Sequence, residues 1–424
     1  MPTYEEVIEK MFAALPMFQR IGGAAYRADL SGIIQLTDIL KQPQKRFKSV
    51  HIAGTNGKGS VSHTLSAILQ AAGYKTGLYT SPHLKDFRER IRINGQMIPQ
   101  KEVIRFYENI TVEHLQPSFF EMTTALAFNF FAEEKVDIAV IETGMGGRLD
   151  STNLITPELS IITNISLDHT QFLGTTLEAI AEEKAGIIKY GVPVAAGETQ
   201  KETEQIFIRK AIEKNASIVF SDKEYKVERI DNNHFNILRN GKIHIQDITT
   251  DISVTSYQLK NFATIFCAAE LLSEKFKQIN EQAIRDGFAS IVKTTGFQGR
   301  WQKIAEKPLT IADTGHNEGG IKLTLEQIAA TPHKNLHVVW GMVGDKDITR
   351  ILDLLPESAQ YYFCCPPLPR GLNEHQLREK ASEYRLKGQA YPSVRQALEA
   401  ANRAAAGDDL IYVGGSNFVV AEVL

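Results

Sequence analysis

Short apolar runs alternate with amphipathic stretches along the first half of the chain. Three runs have the length and composition of strands: 47–52, 136–141 and Leu159–Ile162. The last two are nearly continuous apolar segments, as central strands covered on both faces require. Apolar residues recur at helical spacing over 61–72, and further helices are predicted over 123–134 and 175–189. This alternation predicts a parallel sheet with helices on both sides.

The segment 221–252 has a different pattern, in which polar and apolar residues alternate. It contains Arg239-Asn240-Gly241-Lys242, and an Asn-Gly pair between two alternating runs is a strong signal for a two-residue hairpin. We therefore predict a small antiparallel sheet attached to the first domain, which a helix over 261–276 would close.

A second α/β pattern begins near Gly296. Its predicted strands are Leu309–Ala312, Leu336–Trp340, 361–365 and 410–413. The expected fold class is therefore α/β, with a first domain over 1–295 and a smaller, Rossmann-like domain over 296–424. Ligands of open α/β sheets bind beyond the carboxyl ends of the strands. The Gly-rich and charged segments of this chain lie at those ends.

One Gly-rich segment, Gly54-Thr-Asn-Gly-Lys-Gly-Ser60, joins a predicted strand to a predicted helix. Glycines let successive backbone N–H groups face an anion, and the helix N-terminus adds partial positive charge. Lys58 would supply a full charge to nucleotide phosphates, and Ser60 a hydroxyl near a metal. Gly59 intervenes between them, which departs from the usual P-loop spacing. The alternative is a Gly-rich turn with a solvated lysine.

Two side chains at strand ends could bind the metal that accompanies nucleotide phosphates. Glu142 follows the predicted strand 136–141, although it could instead cap the segment Gly144-Met-Gly-Gly. His169 ends the segment Thr163-Asn-Ile-Ser-Leu-Asp-His, although a lone histidine is often structural. Their position beside the Gly-rich segment favours a metal site.

Lys184 lies on the apolar side of its predicted helix, together with Leu177, Ile180 and Ile188. Thr175 and Glu178 are expected to form a capping box where this helix begins. A lysine in a buried position has a lowered pKa, and a neutral amine can react with CO₂ to give a carbamate, an anionic metal ligand. The alternative is a lysine whose ammonium reaches solvent from the edge of the apolar side.

Composition excludes several classes of protein. The chain has 424 residues, 43% of them hydrophobic, and a formal net charge of -3, so nucleic acid is not expected as a partner. Its three cysteines are too few for a disulfide framework and are interpreted as buried thiols in a reducing compartment. No signal peptide or membrane-spanning stretch is apparent. We expect a cytoplasmic protein and, without heptads or a long apolar edge, a monomer.

Several segments in a fixed order resemble the folate branch of the Mur ligase superfamily, which comprises dihydrofolate synthase and folylpolyglutamate synthase. They are HIAGTNGKGS (51–60), TSPHL (80–84), SFFEMTTALAF (118–128), IETGMGGRLDSTN (141–153), TNISLDH (163–169), EEKAGIIK (182–189), QGRWQ (298–302) and DTGHN (313–317). They are spread over most of the chain, which makes the resemblance specific.

The resemblance implies a set of nucleotide and metal ligands. ATP phosphates would be held by Gly57, Lys58, Gly59 and Ser60, and the rest of the nucleotide would be contacted by Asn261, Arg300 and Asp313. Two Mg²⁺ ions would be bound, the first by Ser81 and Glu142, the second by His169. Lys184 matches the carbamoylated lysine of the family, which bridges the metals. A requirement for K⁺ is left open.

The resemblance also implies where the other substrates bind. The pterin-bearing acid would lie at Ser118, Phe119, Phe120 and Glu121, with a further contact at Asp29 and Leu30. His316 would lie near ATP and the amino acid, and Ser416 belongs to the pattern that holds glutamate. Two segments depart from the family: Gly315 and Glu318 replace Ala and Pro, and Phe418 replaces a tyrosine.

The implied activity is an ATP-dependent ligase. It would convert the carboxylate of dihydropteroate or tetrahydrofolate into an acyl phosphate and couple it to the amine of L-glutamate. Both activities of the branch are expected, and the alternative is folylpolyglutamate synthase alone. A peptidoglycan Mur ligase is disfavoured because residues 1–53 leave no room for a UDP-binding domain. A P-loop switch ATPase would leave the second domain unexplained.

Overall fold

The computed structural model describes residues 2–15, 29–110, 115–344 and 348–424. The chain forms two compact units, Met1–Phe297 and Gln298–Leu424. Each unit has its own sheet and its own apolar core.

The first unit is built on an eight-stranded sheet with the order β4-β3-β2-β5-β1-β6-β7-β8. Its strands are β1 Lys48–Ala53, β2 Thr76–Tyr79, β3 Ile91–Ile93, β4 Gln96–Met97, β5 Ile138–Glu142, β6 Leu159–Ile162, β7 Val194–Ala196 and β8 Ile218–Phe220. Six strands are parallel, which confirms the α/β prediction, and β3 and β4 form an antiparallel edge that the sequence pattern did not indicate. All residues of β5 and β6 are buried, as expected for central strands.

Helices cover both faces of this sheet. They are Tyr4–Ala14, Ser31–Ile39, Lys58–Ala71, Gln100–Asn109, Phe119–Glu133, Thr170–Leu173, Leu177–Ala185, Glu204–Glu213, Ser221–Glu224, Ser256–Ser273, Glu281–Phe288 and Ile291–Thr295. One core lies between the sheet and the helices Lys58–Ala71 and Ser256–Ser273. A second core, rich in phenylalanine, lies against the helix Phe119–Glu133.

Three helix predictions were wrong in their ends. The helix predicted over 123–134 is Phe119–Glu133, because Ser118 caps it. The predicted helix over 175–189 is Leu177–Ala185, capped by Thr176, so the capping box of Thr175 is not formed. This helix stops early because the Arg148 N–H donates to the Glu183 carbonyl (2.7 Å) and takes the place of a further helical bond. The helix expected over 261–276 is Ser256–Ser273. It begins five residues earlier than predicted because Thr255 caps it at Ser256.

The small antiparallel sheet is confirmed. Its strands are β9 Tyr225–Arg229, β10 His234–Arg239 and β11 Lys242–Thr249, in the order β11-β10-β9. Asn240 and Gly241 have φ of 50° and 74°, as a two-residue hairpin of the predicted kind requires. Arg239 pairs with Lys242 across that turn.

The second unit is a six-stranded sheet in the order β12-β13-β17-β14-β15-β16. Its strands are β12 Gln302–Glu306, β13 Leu309–Ala312, β14 Leu336–Trp340, β15 Gln360–Cys364, β16 Gly388–Tyr391 and β17 Leu410–Gly414. Its helices are Glu318–Ala329, Thr349–Leu352, Glu374–Glu383, Val394–Ala404 and Asn417–Ala421. All strands but β12 are parallel, and the last strand inserts between β13 and β14. This rearranged order creates a switch point, where ligands of α/β sheets bind.

Two predictions from composition can be compared with these units. None of the helices in the described ranges is long and apolar enough to cross a membrane. Cys267 and Cys364 are buried free thiols as expected, whereas Cys365 is only half-buried.

Candidate active site

The Gly-rich loop leads from β1 directly into the helix Lys58–Ala71. Gly57 precedes this helix with a φ of 84°, which favours glycine, and a Cβ there would overlap the side-chain oxygen of Asn261. A Cβ on Gly54 would overlap the Thr163 hydroxyl. A Cβ on Gly59, in contrast, would meet no described atom within 4 Å. Two glycines therefore allow close packing beneath the loop, while Gly59 lies on its open side.

The loop that follows β6 supports the Gly-rich loop from beneath. The Thr55 N–H donates to the Asn164 carbonyl (2.9 Å), and the Asn56 N–H donates to the Asn164 side-chain oxygen (2.9 Å). The Thr163 hydroxyl donates to the Asn56 carbonyl (2.5 Å). These bonds fix the start of the loop, so the backbone N–H groups that follow it have a defined direction before any anion binds.

Two lysines donate to one carbonyl of the loop. Lys58 Nζ bonds to the carbonyls of Gly54 (3.1 Å) and Thr55 (3.2 Å), and Lys184 Nζ bonds to the Gly54 carbonyl (2.8 Å). Lys184 is only 4% exposed, so the prediction that it faces inward is confirmed. Burial first, and then the charge of Lys58, lower the pKa of Lys184 to about 7. A substantial fraction of this amine is therefore neutral near neutral pH.

Ser81 and Glu142 lie together at the ends of neighbouring strands. The Ser81 N–H donates to the Glu142 carboxylate (3.2 Å), and Glu142 is 4% exposed. Glu142 pairs with Ile52 of β1, which places it beside the Gly-rich loop. The described residues hold no cluster of three or more His, Cys, Asp or Glu that would enclose a metal. One buried carboxylate and a hydroxyl fit Mg²⁺, which keeps water and phosphate oxygens among its ligands.

His169 begins the short helix Thr170–Leu173 with a φ of 50°. Its N–H donates to the neighbouring Asp168 carboxylate (2.9 Å), and its ring Nε2 lies 3.9 Å from the same carboxylate. The opposite charges of Asp168 and Asp150 act on Lys184 and partly offset the fall in its pKa. Asp168 and Asp150 were not predicted as site residues, because acidic residues in loops are common.

The segment at Ser118 forms the start of the helix Phe119–Glu133. Ser118 and Glu121 make a reciprocal capping box: the Glu121 carboxylate accepts from the Ser118 N–H (2.7 Å) and the Ser118 hydroxyl from the Glu121 N–H (3.2 Å). Glu121 is 2% exposed, and its second oxygen finds no hydrogen-bond partner among the residues that the structure describes. A Cβ on Gly32 would overlap that oxygen. A buried acceptor of this kind suits a ligand that donates N–H groups.

Asp29 and Leu30 precede the helix Ser31–Ile39. The Asp29 carboxylate accepts from the N–H (2.8 Å) and the hydroxyl (2.5 Å) of Ser31, so it stabilises the start of this helix, while Leu30 is the N-cap residue. The same helix carries Gly32, which faces Glu121. The structure therefore brings Asp29 and Leu30 to the same region as the Ser118 segment.

Arg90 is also buried in this region, and no sequence pattern predicted it as a site residue. Arg90 is 3% exposed, lies over the Phe119 ring at 5.4 Å, and donates from Nε to His83 Nδ1 (2.7 Å). Burial lowers the pKa of Arg90 to about 10 and that of His83 to about 3, so His83 is a neutral acceptor. Glu142 and Tyr79 favour the charged form of Arg90. Since 88–92 alternates arginine with other residues, no local pattern distinguishes the buried one.

In the second unit, Asp313 organises the loop after β13. It is 3% exposed, and its two oxygens accept from the N–H groups of Trp301 (2.8 Å) and Gly315 (2.8 Å). Arg300 precedes Trp301 and donates to the Gly299 carbonyl (3.2 Å). His316 Nδ1 donates to the Thr314 carbonyl (3.0 Å), which fixes its tautomer because a carbonyl only accepts. Asp313 thus links the segments that carry Arg300 and His316.

Ser416 follows β17 at the same edge of that sheet. Its hydroxyl accepts from the Val419 N–H (3.2 Å) and caps the helix Asn417–Ala421. Asn317 caps the helix Glu318–Ala329 in the same manner, through Gly320 N–H (2.8 Å). Glu318, which replaces the family's proline, lies in the first turn of that helix and pairs with Lys322 (2.7 Å).

Two known protein domains match this chain. The Mur ligase middle domain matches residues 52–268, and the Mur ligase, glutamate ligase domain matches residues 299–417. The chain belongs to the Mur ligase family.

Its relatives lie in the folate branch of that family. It is 34% identical over 392 residues to the dihydrofolate synthase/folylpolyglutamate synthase of Escherichia coli, covering 88% of this chain and 85% of that protein. It is 32% identical over 428 residues to the folylpolyglutamate synthase of Lacticaseibacillus casei, covering 94% of each.

Solved structures show the same similarity over the whole chain. Escherichia coli FolC in complex with DHPP and ADP has a TM-score of 0.85 and 29% identity, covering 100% of this chain and 98% of that one. A bifunctional folylpolyglutamate synthase/dihydrofolate synthase with Mn, AMPPNP and L-glutamate bound has a TM-score of 0.82 and 29% identity, with the same coverage. The folate-branch resemblance drawn from the sequence is confirmed.

Proposed function

We propose that the protein is an ATP-dependent ligase that activates the carboxylate of a pteroate or folate and couples it to the amine of L-glutamate. It acts as dihydrofolate synthase on dihydropteroate and as folylpolyglutamate synthase on tetrahydrofolate. The observation that carries this proposal is the Gly54–Ser60 loop, with Lys58 and the buried Lys184 on its carbonyls and the buried Glu142 beside it. The ligands bound in the Escherichia coli FolC structure, and those in the bifunctional enzyme with Mn, AMPPNP and L-glutamate, support it.

The first step is transfer of the γ-phosphoryl group of ATP. A carboxylate oxygen of the acid bonds to the γ-phosphorus while the bond to the β-phosphate oxygen breaks, which gives an acyl phosphate and ADP. The N–H groups of Gly57–Ser60 and the Lys58 ammonium bind the phosphates and offset the developing charge. Mg²⁺ held by Ser81 and Glu142, and a second ion at His169 and Lys184, would neutralise phosphate oxygens when bound.

The second step forms the amide. The glutamate amine attacks the acyl carbon, the bond from that carbon to the phosphate oxygen breaks, and the nitrogen loses a proton. In the second unit, Arg300 and Asp313 are proposed to serve the nucleotide, and His316 and Ser416 the amino acid. Phe418 has no hydroxyl, so glutamate is held here without the one that the family's tyrosine provides.

Lys184 is proposed to carry a carbamate. Its neutral amine attacks CO₂, a nitrogen–carbon bond forms, and the nitrogen loses a proton to solvent. The low pKa of Lys184 supports this step because it supplies the neutral amine at physiological pH. The product replaces a buried amine beside the Gly54 carbonyl with an anion, and an anionic oxygen is a ligand that Mg²⁺ favours.

The acid is proposed to bind between the segment of Phe119 and Phe120 and the residues Asp29 and Leu30, which precede the helix Ser31–Ile39. Phe119 packs against Phe12 (5.3 Å) and Phe87 (5.8 Å), so an aromatic wall is already formed. The second oxygen of Glu121 would accept N–H groups from the edge of a pterin ring.

The decisive assay supplies labelled L-glutamate and ATP with either dihydropteroate or tetrahydrofolate monoglutamate. Labelled product with both acids is expected. Product with tetrahydrofolate alone would restrict the activity to folylpolyglutamate synthase, and phosphate release that neither acid nor glutamate stimulates would favour a switch ATPase. The sequence predicts a cytoplasmic monomer without a nucleic-acid partner, and these points stay predictions. The requirement for K⁺ is left open.

A further inference from the structure

The helix Ser256–Ser273 begins with an unusual use of one side chain. Thr255 and Gln258 have the spacing of a capping box, in which the glutamine side chain returns to the N–H of the N-cap residue. The Thr255 hydroxyl does accept from the Gln258 N–H (3.4 Å). The Thr255 N–H, however, donates to the Ser253 carbonyl (3.0 Å). The Gln258 side chain is therefore available for other contacts.

The Gln258 side chain contacts Ser60 of the Gly-rich loop and Asn261 of its own helix. Gln258 Nε2 donates to the Ser60 hydroxyl oxygen (3.3 Å), and Gln258 Oε1 accepts from Asn261 Nδ2 (2.9 Å). Gln258 and Ser60 are each 1% exposed and Asn261 is 8% exposed. One buried amide thus joins two residues that the proposed function assigns to ATP.

The direction of these two bonds has consequences for both partners. Because Gln258 donates to Ser60, one lone pair of that hydroxyl is occupied, and its proton and other lone pair remain for a phosphate or a metal-bound water. Because Gln258 accepts from the Asn261 NH₂ group, the Asn261 oxygen is turned toward Gly57, where a Cβ would overlap it. Reversal of either amide would break this arrangement.

We propose that Gln258 is a positioning residue for nucleotide binding, which sets the orientation of the Ser60 hydroxyl and of the Asn261 amide together. The inference rests on the proposed function and adds a residue to it. Gln258 need not touch the nucleotide, because it acts through its two partners. Its replacement should therefore weaken nucleotide binding without changing the affinities for the acid or for glutamate.

The test measures ADP affinity by calorimetry and KM for ATP, glutamate and folate in four variants: Gln258→Met, Asn261→Ala, the double variant and Thr264→Val. Thr264 is the matched control, since it is buried on the same helix and its hydroxyl donates within that helix, to the Lys260 carbonyl (3.1 Å). Loss of two hydrogen bonds predicts about tenfold to hundredfold weaker ADP binding for Gln258→Met. KM for ATP should rise in parallel, with KM for glutamate and folate unchanged.

The double variant separates positioning from general stability. If Gln258 acts through Asn261, Gln258→Met should cost less in the Asn261→Ala background than in the wild type. Fully additive losses, or ADP binding equal to the wild type in Gln258→Met, would overturn the inference.

A second variant, Gln258→Glu, and ADP binding by the wild-type protein complete the test. If Gln258→Met fails to fold, Gln258→Glu replaces it: this variant keeps the size and the acceptor for Asn261 but cannot donate to Ser60, so weaker ADP binding is expected and unchanged binding would refute the role. Wild-type protein that binds no ADP would overturn the proposed function as well, which distinguishes the two failures.

Discussion

The buried ammonium of Lys184 should lower the stability of the protein. The Lys184→Met variant should therefore have a larger free energy of unfolding than the wild type, while it loses ligase activity. The side chain lies on the inward side of the helix Leu177–Ala185, 4% exposed, beside buried Ile180 and Ala181. Methionine matches the stem of lysine in length and removes the charge. It also removes the bond to the Gly54 carbonyl, but that carbonyl keeps its bond from Lys58.

The size of the effect follows from the pKa of Lys184, lowered from 10.5 to about 7. At about 1.4 kcal/mol for each pKa unit, that difference corresponds to about 5 kcal/mol of lost stability below pH 7. Between pH 7 and pH 10.5 the unfolded chain holds a proton that Lys184 has released in the folded chain, so the free energy of unfolding rises with pH. The excess stability of Lys184→Met should therefore be about 5 kcal/mol at pH 6 and about 3 kcal/mol at pH 8.5. The lost hydrogen bond would reduce both figures by about 1 kcal/mol.

The assay is urea unfolding at pH 6 and pH 8.5 in buffers depleted of CO₂, because a carbamate would remove the titrating amine. Far-UV circular dichroism is needed since both tryptophans, Trp301 and Trp340, lie in Gln298–Leu424 and their fluorescence does not report the first unit. The exposed Lys201→Met serves as the control, with a change within about 0.5 kcal/mol. A Lys184→Met variant less stable than the wild type at pH 6, or an advantage that does not shrink with pH, would refute the reasoning.

Three further predictions concern other parts of the site. Gly57→Ala should abolish ADP binding measured by calorimetry, because Gly57 has a φ of 84° and its Cβ would overlap Asn261, whereas Gly59→Ala, with open space around its Cβ, should bind far better; equal affinities would contradict this. Asp313→Asn should destabilise the second unit by about 1–3 kcal/mol in urea unfolding followed by tryptophan fluorescence, since an amide oxygen cannot replace both carboxylate oxygens; the exposed Asp353→Asn is its control, and an equal midpoint for the two would be evidence against the role. Glu121→Gln should raise KM for dihydropteroate about tenfold or more with KM for ATP unchanged; an unchanged KM for dihydropteroate would remove Glu121 from the acid site.

The sequence predicted what depends on the backbone and on local pattern. The Gly54–Ser60 loop, the Asn240-Gly241 hairpin and the central strands could be predicted because each follows from glycine conformation or from continuous apolar character. Helical periodicity placed Lys184 on the apolar side of its helix, although it left open whether the ammonium reaches solvent, and the structure decides for the buried position. Helix ends were less predictable, since the end at Ala185 depends on the Arg148 N–H, which is distant in sequence.

Residues whose role arises only from tertiary contacts could not be found. Arg90 is one of three arginines within five residues, and only folding against Phe119 and His83 shows which of them is buried. Gln258 has the spacing of a local cap, and only its bond to Ser60, 198 residues away, shows its other use. The charge of Asp150 near Lys184 is equally invisible in the sequence.

The central claim is that an acyl phosphate links the transfer of the γ-phosphoryl group of ATP to amide formation in this site. The most direct measurement uses dihydropteroate labelled with ¹⁸O in its carboxylate, with ATP, Mg²⁺ and L-glutamate, and follows the label in inorganic phosphate by mass spectrometry. The account predicts one labelled oxygen in each phosphate released with an amide bond. Phosphate that carries no ¹⁸O, while amide product accumulates, would contradict it.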